Sequence, residues 1–112
     1  MGLPEARERI NLLFDFYSAL LTPKQRDIFT MHYVDDCSLA EIAAANDISP
    51  QAVADMLKRV TKQLHRYNDL LRLVEKYENQ NEILEKIKAL SYEIQDTEAA
   101  AQIRDLVERL SE

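Results

Sequence analysis

The chain has 112 residues with 14 basic and 20 acidic side chains, a formal net charge of −6, and 46% hydrophobic residues. These values suit one small soluble domain with an appended arm, and the negative charge argues against a non-specific coat on nucleic acid. Gly2 is the one glycine and Cys37 the one cysteine, so we expect neither a sheet rich in tight turns nor an internal disulfide, and the reducing cytoplasm is the expected compartment.

The first predicted helix runs from Pro4 to Leu21, where apolar residues recur at helical spacing. Leu12 and Phe16 lie to one side of that stripe and widen it. A stripe this wide often contacts two neighbours rather than one, although burial in a single core is an equal alternative. Three later helix starts carry capping residues: Thr22, Ser38 and Ser49. Thr22 precedes Pro23 at the start of a helix that extends to Val34, and Ser38 begins a capping box that Glu41 completes.

The most informative stretch is 38–53, which fits a helix-turn-helix. A short helix is predicted from Leu39 to about Asn46, followed by a left-handed backbone at Asp47, which aspartate tolerates better than most residues. Ser49 then caps a long recognition helix that begins at Pro50. Ala43 is small where the two helices cross, and the apolar residues of their shared buried face are Ile42, Ile48 and Val53.

The long helix has two distinct faces on a helical wheel. The buried seam is predicted to contain Val53, Leu57, Val60, Leu64, Tyr67, Leu71 and Val74. The opposite face carries Gln51, Asp55, Lys58, Arg59, Lys62 and Arg66. Its four cations could contact successive phosphates of a nucleic acid. An equal alternative is that the face is only solvated, with Asp55 paired to Lys58 or Arg59. At the leading end Gln51 alone has the amide suited to reading adenine, and we predict that Ser49, Gln51 and the four cations form a nucleic-acid surface.

The remainder of the chain is more acidic. Residues 1–66 hold eight basic and nine acidic side chains, whereas residues 67–112 hold six and eleven. A polar break is predicted at 79–82, followed by a helix from Ile83 and an interruption near Asp96. We therefore predict a helix-turn-helix domain over 1–78 and an acidic helical arm over 79–112. The fold class is all-α.

The sequence offers no set of residues that points to catalysis. His32 and His65 fall on different predicted helices, and neither a cysteine–histidine cluster nor a glycine-rich phosphate loop is present. We expect a protein that is not an enzyme and needs neither metal nor cofactor.

Several motifs together form an ordered set that resembles the YlxM family of bacterial helix-turn-helix proteins. They are Asn11–Tyr17, Leu20–Gln25, Tyr33, Asp35 with Asp36, Ser38–Ala43, Ser49–Val53, and Lys58 with Arg59. The part from Thr22 to Leu64 is similar to region 4 of bacterial sigma factors. The resemblance implies a sigma region 4-like bundle and a regulatory role in the signal recognition particle pathway. The implied partners are the particle RNA, its GTPase and the receptor of that GTPase.

Two other classes of function stay open. The first is a transcription regulator that binds DNA through its helix-turn-helix, although Pro50, Ala52 and Ala54 are poor base readers. The second is a helical adaptor that binds only proteins through its acidic tail. Whichever of these functions holds, we predict a homodimer, because more apolar surface is present than one small core needs. The predicted contact residues are Leu12, Phe16, Tyr67, Leu71 and Val74.

Overall fold

The computed structural model describes residues 4–111, with side chains from Arg7 onward, and this part of the chain is entirely helical apart from its connections. The elements are α1 (Pro4–Tyr17), a short 3-10 turn (Ser18–Leu20), α2 (Pro23–Tyr33), α3 (Leu39–Asn46), α4 (Pro50–Leu71), α5 (Leu73–Ser91) and α6 (Thr97–Ser111). The all-α prediction is confirmed. The first helix ends earlier than predicted, because the chain tightens into the 3-10 turn after Tyr17.

The three predicted helix starts are present as side-chain caps. The hydroxyl of Thr22 accepts a hydrogen bond from the Gln25 amide, and that of Ser38 accepts one from the Glu41 amide. In both cases the side chain of the third helical residue in turn accepts a hydrogen bond from the backbone amide of the capping residue. Ser49 Oγ accepts from the Ala52 amide at 3.0 Å. Each cap satisfies amide groups that a helix start leaves unpaired, so the boundaries are set locally.

The turn of the helix-turn-helix is closed by Asp47. Its backbone is left-handed, with φ 53° and ψ 46°, and its amide donates to the carbonyl of Ala43. The predicted conformation is therefore confirmed. Ala43 itself is buried, and because its side chain is only a methyl group, α3 can approach its neighbours closely.

The chain divides into two compact units, residues 1–74 and 75–112. The first unit has one core, to which α1, α2, α3, α4 and the first turn of α5 each contribute. Its fully buried members are Leu13, Tyr17, Ile28, Phe29, Ile42, Val53, Val60, Leu64 and Val74. The rings of Phe14 and Tyr33 stack against Phe29 at centroid distances of 4.5 Å each. The core holds α4 by one face and so determines which α4 side chains reach solvent.

The break after α4 does not lie where the sequence predicted it. Residues 79–82 are helical and belong to α5, whereas the chain turns at Arg72, which has φ 57° and ψ 30°. The reason is a buried polar cluster. Tyr17 donates its hydroxyl hydrogen to Asn68 Oδ1 at 2.8 Å, and these two side chains accept the amides of Leu73 (3.1 Å) and Val74 (3.2 Å), respectively. We call Tyr17 and Asn68, with these two amides, the junction cluster.

The second unit is an antiparallel helical hairpin of α5 and α6. Lys88 Nζ lies 3.3 Å from Glu108 Oε1, and the Arg104 guanidinium lies 4.6 Å from the ring centre of Tyr92. The bond to Glu108 raises the pKa of Lys88. The buried residues of the hairpin are Leu84, Ser91, Ala100 and Val107. None of the helices in the described part of the chain is long and apolar enough to cross a membrane.

Candidate nucleic-acid interface

The exposed face of α4 is fixed by the way this helix is buried. Val53, Leu57, Val60 and Leu64 enter the core at intervals of four, three and four residues. Side chains on the opposite side of the helix therefore point away from the core. Ser49 and Gln51, the first two of the predicted site residues, are exposed at the start of the helix.

Four basic side chains form one exposed surface of α4, which we call the cationic face: Lys58, Arg59, Lys62 and Arg66. All four are exposed, and none of them has an ion pair or side-chain hydrogen bond to any residue between 7 and 111. Lys58, Lys62 and Arg66 repeat every four residues and so run along the helix over about 12 Å. Cations spaced in this way, and without a partner among residues 7–111, can meet the phosphates of a nucleic-acid strand.

The leading end of α4 is arranged differently. Gln51 Nε2 donates to Asp55 Oδ1 at 3.0 Å, one helical turn further on. The anticipated pairing of Asp55 with Lys58 or Arg59 is not formed within the described residues. The amide that could read a base is thus engaged by a carboxylate, and that carboxylate would repel a phosphate placed beside it.

A groove lies alongside the cationic face and was not predicted from the sequence. It is lined by His32 and Tyr33 from α2, by Leu39 from α3, and by Ala54, Leu57, Lys58, Thr61 and Lys62 from α4. His32 Nδ1 lies 3.3 Å from the carbonyl oxygen of Cys37, and the His32 ring meets the Tyr33 ring edge to face at 4.8 Å. Three helices contribute to the groove, so the spacing of residues within any one of them gives no signal for it.

The residues predicted to contact a second copy mostly belong to the first unit's own packing. Val74 is 0% exposed and lies in the core, while Leu12, Phe16 and Tyr67 are half-buried against it. Phe16 and Tyr67 both neighbour Tyr17, with ring centres 6.3 and 6.1 Å from it. Leu71, at 47%, is the one of the five that is exposed.

The side chains that could bind a metal ion or act as a nucleophile lie apart from one another. No group of three or more histidine, cysteine or acidic side chains among the described residues could hold a metal ion. Cys37 is half-buried, and partial burial, together with Glu41, Asp35 and Asp36, raises its pKa. Its thiol is thereby kept protonated and poorly nucleophilic at neutral pH.

Comparison with known proteins gives one consistent family. Residues 4–105 match the profile of UPF0122, described as "Putative helix-turn-helix protein, YlxM / p13 like". The UPF0122 protein of Geobacillus kaustophilus is 44% identical over 107 residues, covering 93% of this chain and 96% of its own. That of Bacillus velezensis is 40% identical over 95% of this chain and 96% of its own. That of an Exiguobacterium strain is 46% identical over 75% and 78%, respectively.

Proposed function

The chain belongs to the UPF0122 family of YlxM/p13-like helix-turn-helix proteins, and from that premise we propose that it is a regulatory, nucleic-acid-binding accessory factor. Its favoured ligand is the RNA of the signal recognition particle, where it acts beside the pathway GTPase and the receptor of that GTPase. The observation that carries the proposal is the cationic face of α4, whose four side chains have no ion-pair partner in the described part of the chain. The pathway follows from the resemblance to YlxM proteins.

RNA is favoured over DNA by the contrast between the two ends of α4. The leading end, which a helix-turn-helix usually places against base edges, carries a carboxylate and an engaged amide at Asp55 and Gln51. The cations begin at Lys58, about two turns after Gln51 and less than one turn after Asp55. An arrangement that attracts phosphates but reads few bases suits recognition by backbone and shape, which is how structured RNA is mostly bound.

Titration at two salt concentrations tests this proposal. Fluorescein-labelled particle RNA is titrated with wild type and with Lys58→Ala, Lys62→Ala and Arg66→Ala. Each variant should bind more weakly and lower the slope of log affinity against log salt by roughly 0.7 to 0.9, the value of one phosphate contact. Lys24→Ala, which removes an exposed cation from α2, is the matched control and should change neither quantity. If the three variants and the control bind alike, α4 is not the RNA surface.

DNA binding by a regulator of the sigma region 4 type is the second candidate. It is favoured by the helix-turn-helix itself, with Ser49 and the start of α4 exposed. If bases are read, Gln51→Ala should change the preference among promoter duplexes, whereas loss of a cation should weaken all duplexes alike. Binding to duplex DNA that is tighter than binding to particle RNA would favour this function over the first.

The proposal includes a non-enzymatic role. GTP turnover in a mixture should belong to the partner GTPases, with none from the purified chain. GTP turnover that copurifies with the chain through several orthogonal columns, and that is lost when a residue of this chain is substituted, would contradict this.

A homodimer is also part of the proposal, and the second unit offers a larger exposed apolar surface than the five predicted residues. On α5 this surface contains Ile83, Ile87 and Leu90, and on α6 it contains Leu106 and Leu110, all at least 39% exposed. On each helix the exposed stripe lies one position before the buried residues, as Ile83 precedes Leu84 and Leu106 precedes Val107. Because the two helices are antiparallel, this equal offset places both stripes on the same side of the hairpin. An apolar face of this kind is rare on a monomer and commonly meets a partner.

A second copy is the occupant we favour for this hairpin face, because the apolar stripes of two copies can bury each other. Lys86 and Arg109 each lie three residues from a member of the face and are paired one turn away, with Glu82 and Asp105. These two cations are therefore compensated within one copy. Light scattering at micromolar concentration should give twice the chain mass for wild type, and the monomer mass for Ile87→Glu. A wild-type monomer over a wide concentration range would refute the dimer.

A further inference from the structure

The groove beside the cationic face combines two kinds of surface that a nucleotide needs. Its lining includes the aliphatic side chains of Leu39, Ala54 and Leu57 and the rings of His32 and Tyr33. The ammonium-bearing side chains of Lys58 and Lys62 line the same groove. Along α4 it extends from residue 54 to residue 62, which corresponds to about 12 Å. Apolar and aromatic surface thus lies beside two cations that are not paired with any of residues 7–111.

We propose that this groove binds an unpaired nucleotide of the RNA, with its base against the aliphatic and aromatic side chains of the lining and its neighbouring phosphates on Lys58 and Lys62. This inference rests on the function proposed above and specifies the part of the RNA that the site accepts. In a duplex both faces of each base are covered by stacking, so a paired base cannot enter. A base in a loop or bulge has its faces free and stacks readily on apolar and aromatic side chains.

The aromatic side of the groove is already fixed before any ligand arrives. Tyr33 stacks on Phe29, which is fully buried, and His32 contacts both the carbonyl oxygen of Cys37 and the Tyr33 ring. Rings held in this way lose little conformational freedom when a base docks beside them.

An acidic amphipathic peptide is the other ligand chemistry that a groove with two lysines could accept. The continuation of the cationic face beyond the groove favours the nucleotide. Arg59 and Arg66 are exposed outside the groove lining and have no acidic partner among residues 7–111. A peptide confined to the groove would leave them unused, whereas the phosphates on either side of an inserted base can reach the whole row.

The test compares two fluorescein-labelled RNAs that share one stem, a hairpin with a six-nucleotide loop and a blunt duplex. Thr61→Phe fills the groove without changing its charge, and Ala54→Leu fills it from a second position. Each should weaken hairpin binding by about tenfold, within the range for loss of one stacked base, and leave duplex binding unchanged. His65→Phe places the same phenyl ring, in exchange for an imidazole, at an exposed position of α4 outside the groove lining, and should leave both affinities unchanged.

A covalent readout keeps the result independent of how well the filled variants fold. Hairpins with 4-thiouridine in the loop should crosslink, in wild type, to the peptides that contain His32 and Tyr33, whereas 4-thiouridine in the stem should not. Equal loss of hairpin and duplex binding, no loss in either filled variant, or crosslinks confined to other peptides would overturn the proposal. If Thr61→Phe weakened binding only to the pathway GTPase, the groove would be a peptide site instead. Failure of wild type to bind either RNA would instead refute the proposed function.

Discussion

The junction cluster allows a quantitative prediction, because one hydroxyl group can be removed with little change in packing. Tyr17→Phe keeps the ring of a residue that is 1% exposed but deletes the bond to Asn68 Oδ1 and the acceptor of the Leu73 amide. Each hydrogen bond of this kind contributes about 0.5–1.5 kcal/mol net. The free energy of unfolding of the first unit should therefore fall by about 1–3 kcal/mol.

Urea denaturation and residue-resolved amide hydrogen exchange measure this effect at two levels. Exchange at Leu73 and Val74 should accelerate more than exchange at the centre of α4, because the Leu73 amide loses its acceptor and Asn68 Oδ1, which accepts the Val74 amide, loses the hydrogen bond that positions it. Tyr67→Phe is the matched control, since its ring is 6.1 Å from that of Tyr17 and its hydroxyl has no hydrogen-bond partner among residues 7–111. The control should stay within about 0.5 kcal/mol of wild type. Equal effects of the two substitutions, with unchanged exchange at Leu73 and Val74, would refute the role of the cluster.

Three further predictions concern the helix-turn-helix. The hydrogen bond from the Ser38 amide lowers the pKa of Glu41. The contribution of this hydrogen bond to stability is therefore present at neutral pH and is lost as the pH falls below the ordinary glutamate range. Glu41→Gln keeps an acceptor for the capping box and should abolish that part of the loss of stability in acid. Thermal melts at several pH values would measure this, and a loss of stability in acid that matches wild type would count against the prediction. Ala43→Leu should cost about 1–3 kcal/mol by overpacking, whereas Ala44→Leu, at an exposed position, should cost little in the same denaturation assay; equal costs would contradict close packing at position 43. Asp55→Asn should tighten RNA binding in the titration described above, because it removes a negative charge beside the phosphates; weaker binding would indicate that Asp55 contacts the RNA.

The parts of the fold that the sequence predicts well are those determined by near neighbours. A cap such as Ser49 acts on an amide three residues away, and the left-handed turn at Asp47 depends on that residue's own tolerance. The exposure of Lys58 and Lys62 follows from the apolar period of a single helix. Each of these features can be read within one or two helical turns, and each is present in the structure.

The features that escaped prediction depend on residues far apart in the chain. Tyr17 and Asn68 are separated by 51 positions, and together they end α4 beside an arginine that carries no turn signal. The polar run at 79–82 looked like a break, yet glutamine and glutamate are good helix formers and the helix continues. The groove likewise needs His32, Leu39 and Thr61 from three helices.

Three exposed residues, Asp36, Asp47 and Arg72, share a positive φ of 53–57°, and none of them is a glycine. Left-handed backbone excludes proline and strongly disfavours valine, isoleucine and threonine, whatever the side chain at that position does. In a saturation library these positions should therefore accept glycine and asparagine but reject many substitutions that other surface sites tolerate. Such intolerance at solvent-exposed charged residues resembles the signature of a binding site. At these three positions it would instead report the geometry of the main chain, and a map of mutational sensitivity should be corrected for it before ligand contacts are assigned.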